Sequence, residues 1–157
     1  MQGPRPFLIG GQWRQGDTTA PVHDPFTGKV LAEVSQANET DAEAAIQSTA
    51  EAATPMGALP AHRRYHILQR IAGSLYDRRE EFARLMSGEA GKPISDARRE
   101  VSRAVQTFTV AAEEAKRIGG DLIPLDWTPG TDSHLGILRR FPIGPILGIT
   151  PFNFPLN

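Results

Sequence analysis

The sequence predicts an α/β fold: short β-hairpins first, long helices next, and the beginning of a parallel sheet near the end. Three observations predict it. Short apolar pieces separated by glycine and proline fill the first forty residues, the grammar of hairpins. Apolar stripes at helical spacing occupy roughly residues 41–118. Residues 143–150 are then apolar with no polar alternation, the pattern of a strand buried on both faces. At 157 residues the chain has one domain's length and can bury a sizeable core.

Phe7-Leu8-Ile9, Gly10-Gly11 and Gln12-Trp13-Arg14 read as a hairpin with a glycine turn. Val22-His23-Asp24 enters the turn Pro25-Phe26-Thr27-Gly28, and residues 29–34 form the returning strand. Thr40 opens a helix, with Glu43 three residues on completing a capping box. The alanine-rich run that follows favours helix, and Thr54-Pro55 is expected to end it. A second helix starts near Pro60, and Ile67, Leu68, Ile71 and Leu75 line one face. Phe82, Leu85 and Met86 continue it after a break at 77–79, with Gly88 and Gly91 as stop signals. Arg63, Arg64, Arg70, Arg78 and Arg79 read as a solvated face. Ser95 is expected to cap the next helix, which runs to about Ile118 on a stripe of Val101, Val105, Phe108, Ala112 and Ala115. Gly119-Gly120 ends it. Residues 121–136 read as a loop with an extended piece, and 136–141 as a strand.

Composition narrows the function. The 17 basic and 18 acidic side chains leave a net charge of −1, without the basic excess of a nucleic-acid binder. With no cysteine, the chain holds neither a disulfide, a thiolate metal site nor a cysteine nucleophile of its own. No apolar run approaches the ~20 residues that span a bilayer. Phe7-Leu8-Ile9 is too short for a signal-peptide core of about 7–15 residues. The expectation is a soluble cytoplasmic protein with neither a membrane nor a nucleic-acid partner.

Most chemistry-bearing residues have plain structural readings. His62 and His66 share a helix face, but the three residues between them are Arg63, Arg64 and Tyr65 and no His-Glu-x-x-His pattern exists, so no metal site is expected. Adjacent acids such as Glu80-Glu81 and Glu113-Glu114 diverge on a helix. The sharper candidate is Asn153, in Pro151-Phe152-Asn153-Phe154-Pro155, just beyond the apolar run. Ligands of open α/β sheets bind beyond the carboxyl ends of strands. Two prolines restrict the backbone around Asn153, and its uncharged NH₂ suits a developing oxyanion. A turn asparagine bonding its own backbone is the alternative reading.

Taken in order, these residues resemble the N-terminal third of the aldehyde dehydrogenase superfamily, over essentially the whole chain. Residues 7–13 are similar to its opening hairpin, and Asp24-Pro25-Phe26-Thr27-Gly28 to its Asp-Pro-x-Thr-Gly turn. Arg64 with Ile67-Leu68, Glu89-Ala90-Gly91-Lys92-Pro93, and Glu100-Val101 resemble helical motifs of that family. Phe141-Pro142-Ile143-Gly144-Pro145 and then Ile149-Thr150-Pro151-Phe152-Asn153-Phe154-Pro155 match its most specific signature.

The resemblance implies Asn153 as the oxyanion-hole amide, and Ile149, Thr150, Pro151 and Phe152 as lining of the cleft for NAD or NADP. It implies three parts: 1–125 from the cofactor-binding domain, 126–142 as a projecting oligomerisation segment, and 143–157 as the first strand of a Rossmann-like sheet with the asparagine loop. In such enzymes a cysteine thiolate attacks a small-molecule aldehyde. Hydride leaves the thiohemiacetal for the cofactor, and a glutamate helps water hydrolyse the thioester. The family's cysteine, glutamate base, ribose-binding residues and glycine-rich turn have no counterpart here. The chain is therefore expected to be part of a longer homo-oligomeric enzyme, a dimer or tetramer, and inactive alone. A stand-alone oligomerisation module and an acylating, coenzyme A-dependent member are the alternatives. The Pro-Phe-Asn-Phe-Pro-Leu-Asn ending resembles the lactaldehyde, semialdehyde and non-phosphorylating glyceraldehyde-phosphate branches.

Overall fold

Local turn chemistry shapes the first forty residues. The computed structural model describes residues 3–157; Met1 and Gln2, read above as part of a polar amino terminus, lie outside the described residues. Strands β1 (Phe7–Ile9) and β2 (Gln12–Arg14) pair antiparallel, with Leu8 opposite Trp13. Gly10 and Gly11 make the turn with φ of 58° and 78°, a region that other residues enter at a cost. Strands β3 (Thr18–His23) and β4 (Val30–Gln36) form a second antiparallel ribbon, with an irregularity between Val22 and His23. Between them the Asp24 carboxylate accepts the N–H groups of Phe26 and Thr27 at 2.8 and 2.9 Å. Arg5 runs alongside β4, exchanging backbone hydrogen bonds with Glu33 and Ser35.

Four helices follow. Helix α1 (Glu39–Gly57) is capped by Asn38, not Thr40: Asn38 Oδ1 accepts the Asp41 N–H at 2.9 Å, and Asp41 returns the bond at 3.1 Å. Pro55 does not end it; it sits in the last turn, where the helix continues two residues further. Helix α2 (Ala61–Asp77) follows Pro60 and stops at Arg78, as expected from the break in the stripe. Helix α3 (Arg79–Ala90) runs through Gly88 and ends at Gly91, which is left-handed at φ 64°. Helix α4 (Ile94–Ala115) begins directly after Pro93, so Ser95 lies within the first turn rather than at the cap. The Pro93 carbonyl accepts the first helical N–H groups, those of Asp96 and Ala97, at 2.9 and 3.0 Å, and the fixed φ of Pro93 sets the start two residues earlier than a Ser95 cap would.

The core lies where α2 and α3 pack on α4. Ala83, Met86, Ala97 and Val101 form its buried centre, with Phe82 and Leu156 packed against it. Ala72, Ala104, Ala112 and Ala115 are also buried. Small side chains at these contacts let the helix axes approach closely. Arg64 is not on the solvated face: it is part-buried and donates to the carbonyls of Leu59 and Ala115, tying the start of α2 to the end of α4. By contrast, Ile67 and Ile71 of the expected stripe are exposed. No α1 residue is buried.

Beyond α4, β5 (Gly120–Pro124) and β6 (Leu135–Arg139) form a third antiparallel ribbon. The buried strand expected over residues 143–150 is not formed. Among the described residues that segment has no ladder partner, and Ile143, Leu147 and Ile149 are 85–89% exposed. A strand is a hydrogen-bonded object, so an apolar run without a neighbour stays extended. Among the described residues no helix is long and apolar enough to cross a membrane.

Candidate functional site

The loop carrying Asn153 is pinned to the α3–α4 corner. Gly91 turns the chain out of α3, and Lys92 follows it immediately. The Lys92 ammonium reaches two oxygens, the Glu100 carboxylate and, at 3.0 Å, the backbone carbonyl of Asn153. Glu100 belongs to α4 and is 4% exposed. Its other carboxylate oxygen accepts the Leu156 N–H at 3.0 Å. Its backbone oxygen accepts the Asn157 side-chain amide at 2.9 Å. The Phe154 ring takes the Lys92 ammonium at 4.4 Å and the Arg103 guanidinium at 5.1 Å from its centroid.

Opposing effects act on the Glu100 carboxyl. Burial pushes it up, while the bond from Lys92, the Leu156 N–H and the charges of Lys92 and Arg103 pull it down; the net direction is down. It is therefore an anion matched to a cation, the state in which a buried carboxylate is tolerated.

Asn153 is exposed, and only its backbone oxygen is engaged. Among the described residues its side-chain amide has no hydrogen-bond partner, so both N–H donors remain free for a ligand. A cleft of about 510 Å³ lies beside it, lined by Lys92, Arg99, Glu100, Arg103 and Phe154. A second cleft of about 770 Å³ shares Lys92 and Asn153 and extends to Pro25, Glu89 and Phe152. Arg99 pairs with Asp96, whereas Arg103 has no carboxylate at ion-pair distance among the described residues.

The other four expected site residues, Ile149, Thr150, Pro151 and Phe152, precede this pinned loop and are all exposed. Their backbone has no backbone hydrogen-bond partner among the described residues. His62 and His66 stand edge to face with ring centroids 6.5 Å apart.

Residues 13–157 match the family model of the aldehyde dehydrogenases. The chain belongs to the aldehyde dehydrogenase family. It is 35% identical to 3-sulfolactaldehyde dehydrogenase of Priestia aryabhattai over 151 residues, covering 96% of this chain and 31% of that enzyme. Its fold superposes on aldehyde dehydrogenase 21 from Physcomitrella patens, solved in complex with the reaction product succinate, with a TM-score of 0.92 and 39% identity. That match covers 98% of this chain and 32% of the other. The NADP-dependent glyceraldehyde-3-phosphate dehydrogenase of Bacillus halodurans, complexed with NADP, gives a TM-score of 0.92 at 29% identity, over 99% of this chain and 33% of that one. The chain thus spans about a third of the length of the relatives it matches.

The motif reading did not single out Glu100 as a site residue. A signal was present: Ala97, Glu100 and Ala104 are spaced three and four apart on the face of α4 that enters the core. An acid at such a position needs a partner, and Lys92 supplies it.

Proposed function

We propose that this aldehyde dehydrogenase segment supplies the oxyanion donor and one wall of the cofactor cleft for NAD(P)-dependent oxidation of an aldehyde to a carboxylate. The observation that carries the reading is the free side-chain amide of Asn153 on a loop whose backbone is tied to buried Glu100 through Lys92. A preset donor costs little reorganisation when charge develops on the aldehyde oxygen, the condition for efficient oxyanion stabilisation. Asn153 would hold that oxygen, and Ile149, Thr150, Pro151 and Phe152 would contact NAD or NADP. The cofactor, when bound, accepts the hydride. The thiolate nucleophile has to come from polypeptide other than this chain, which contains no cysteine, and the family resemblance implies the same source for the glutamate base. Alone, the 157 residues are expected to be inactive on aldehydes.

The substrate class we infer is a small aldehyde with an anionic tail. Arg103 stands in the cleft beside Asn153 without an acidic partner among the described residues, and Arg99 lines the same cleft. Three of the similar enzymes carry a sulfonate, a carboxylate product or a phosphate in their names, although lactaldehyde, benzaldehyde and betaine aldehyde dehydrogenases are similar as well. For the segment 126–142, exposed apolar side chains on and beside β6, among them Trp127, Ile137 and Phe141, support a role in assembling a homo-oligomer. The exposed apolar run 143–150 is suited to enter a Rossmann-like sheet completed by further strands, rather than to close a module on its own.

The test is the intact mass of the native gene product, followed by its NAD(P)-linked oxidation of aldehydes. The chain has a mass of 17.1 kDa, and relatives of which it spans about a third imply a product roughly three times heavier. Such a mass, with higher kcat/KM for carboxylated or phosphorylated aldehydes than for neutral ones, is the expected result. A mass near that of the chain would overturn the reading in favour of a binding or assembly module.

A further inference from the structure

We infer that Lys92 and Glu100 are positioning residues that set the aim of the Asn153 amide, an inference that rests on the reading of Asn153 as the oxyanion donor. The amide must stay free to meet substrate, so nothing can hold the Asn153 side chain itself. Its direction has to be imposed through the backbone. Pro151 and Pro155 restrict the backbone on either side, but neither fixes the ψ angle of Asn153, so its carbonyl can still swing. Lys92 removes that freedom by donating to the Asn153 carbonyl at 3.0 Å.

The ammonium is in turn directed by Glu100, which also takes the Leu156 N–H at 3.0 Å. Leu156 packs on the core, and the Asn157 side chain returns to the Glu100 carbonyl. Asn153, Phe154, Leu156 and Asn157 therefore each reach back to Lys92 or α4, whereas 149–152 make no backbone hydrogen bonds among the described residues. The ties are confined to the residues that aim the amide.

A buried ion pair rarely out-stabilises an apolar pair of similar volume. What it provides is direction: the pair presents a donor to one loop carbonyl and an acceptor to one loop N–H. That serves a group whose placement matters to within about 0.5 Å.

The test has two arms. In the native gene product, hydrogen exchange is compared between wild type, Glu100→Gln and Lys92→Met. The amides of Leu156 and Asn157, bonded to the Glu100 carboxylate and the Phe154 carbonyl, should exchange at least tenfold faster, while Val101 and Ala104 in α4 keep their rates. Unchanged loop rates, or equal acceleration throughout α4, would overturn the lock. In the native gene product, Lys92→Met should lower kcat tenfold or more with KM within twofold. The double variant Lys92→Met/Glu100→Met should regain the thermal midpoint without regaining kcat, and Lys92→Arg should restore part of kcat. A double variant that recovers both would reduce the pair to structural filling. Asn153→Ala with unchanged kcat would remove the oxyanion reading and the catalytic purpose of the lock; the exchange arm separates that failure from a failure of the lock itself.

Discussion

The Lys92 ammonium lies 3.0 Å from the backbone oxygen of Asn153, a residue 61 positions further along the chain. The contact joins the turn after α3 to the loop after the apolar run. It leaves the Asn153 side chain free, and this separates the task of holding the loop from the task of meeting a ligand.

Asn153→Ala should show that separation. In the native gene product, loss of one oxyanion donor is expected to lower kcat by about 10²–10³-fold. The side chain is exposed, so unfolding free energy should change by no more than about 0.5 kcal/mol. Steady-state kinetics beside urea denaturation measures both.

Gly91→Ala should destabilise the fold by about 2 kcal/mol. The residue sits at φ 64°, and a Cβ there would lie 2.9 Å from Pro25 Cγ in the β3–β4 turn. Both strain and crowding act against it, since the turn and the end of α3 are in contact. The urea midpoint should fall with an unchanged slope; an unchanged midpoint would show that the left-handed cap is not needed.

Glu80 should titrate near 2. Arg98 of α4 grips its carboxylate with two bonds of 2.9 Å, and Arg84 adds a further charge. The bonds from Arg98 are the main cause, with burial opposing them. A depressed folded-state pKa means that the unfolded chain binds the proton first, at about 4.3. The contribution to stability is present above that pH and is lost as pH falls towards 2. Arg98→Ala should return the carboxyl resonance of Glu80 towards the ordinary glutamate range, measured by carbon-detected NMR titration.

The isolated chain should associate as its concentration rises. Ile143, Leu147, Ile149 and Phe152 are each at least 85% exposed along one continuous stretch, a template for edge pairing. Ile146→Glu with Ile149→Glu should shift sedimentation velocity profiles towards monomer, whereas Trp13→Glu, on the β1–β2 hairpin, should not. Equal profiles for the wild-type and doubly charged chains would exclude this segment as the associating surface.

Turn chemistry was legible because it is local. Gly10-Gly11 and the Asp24–Gly28 turn satisfy their hydrogen bonds and dihedral angles within a few residues. Helix starts were less legible where two signals compete. Asn38 with Asp41 and Thr40 with Glu43 both make capping patterns, and the helix begins at the first, just after β4 ends. Periodicity found the stripe on α4 but not the acid within it, because a pattern of apolar spacing passes over a charge whose partner comes from another segment.

Local order alone thus settles the hairpins, the helix boundaries to within a few residues, the family and the placing of Asn153 after an apolar run. Those features depend on φ preferences, turn residues and side-chain spacing, which act between near neighbours. Folding in three dimensions settles the rest: that Glu100 is buried and bonded to Lys92, that Arg64 spans two helices, and that 143–150 lies uncovered. Each depends on which distant groups meet, because the free energy of a buried charge or an apolar run depends on its neighbours in space rather than on its own chemistry.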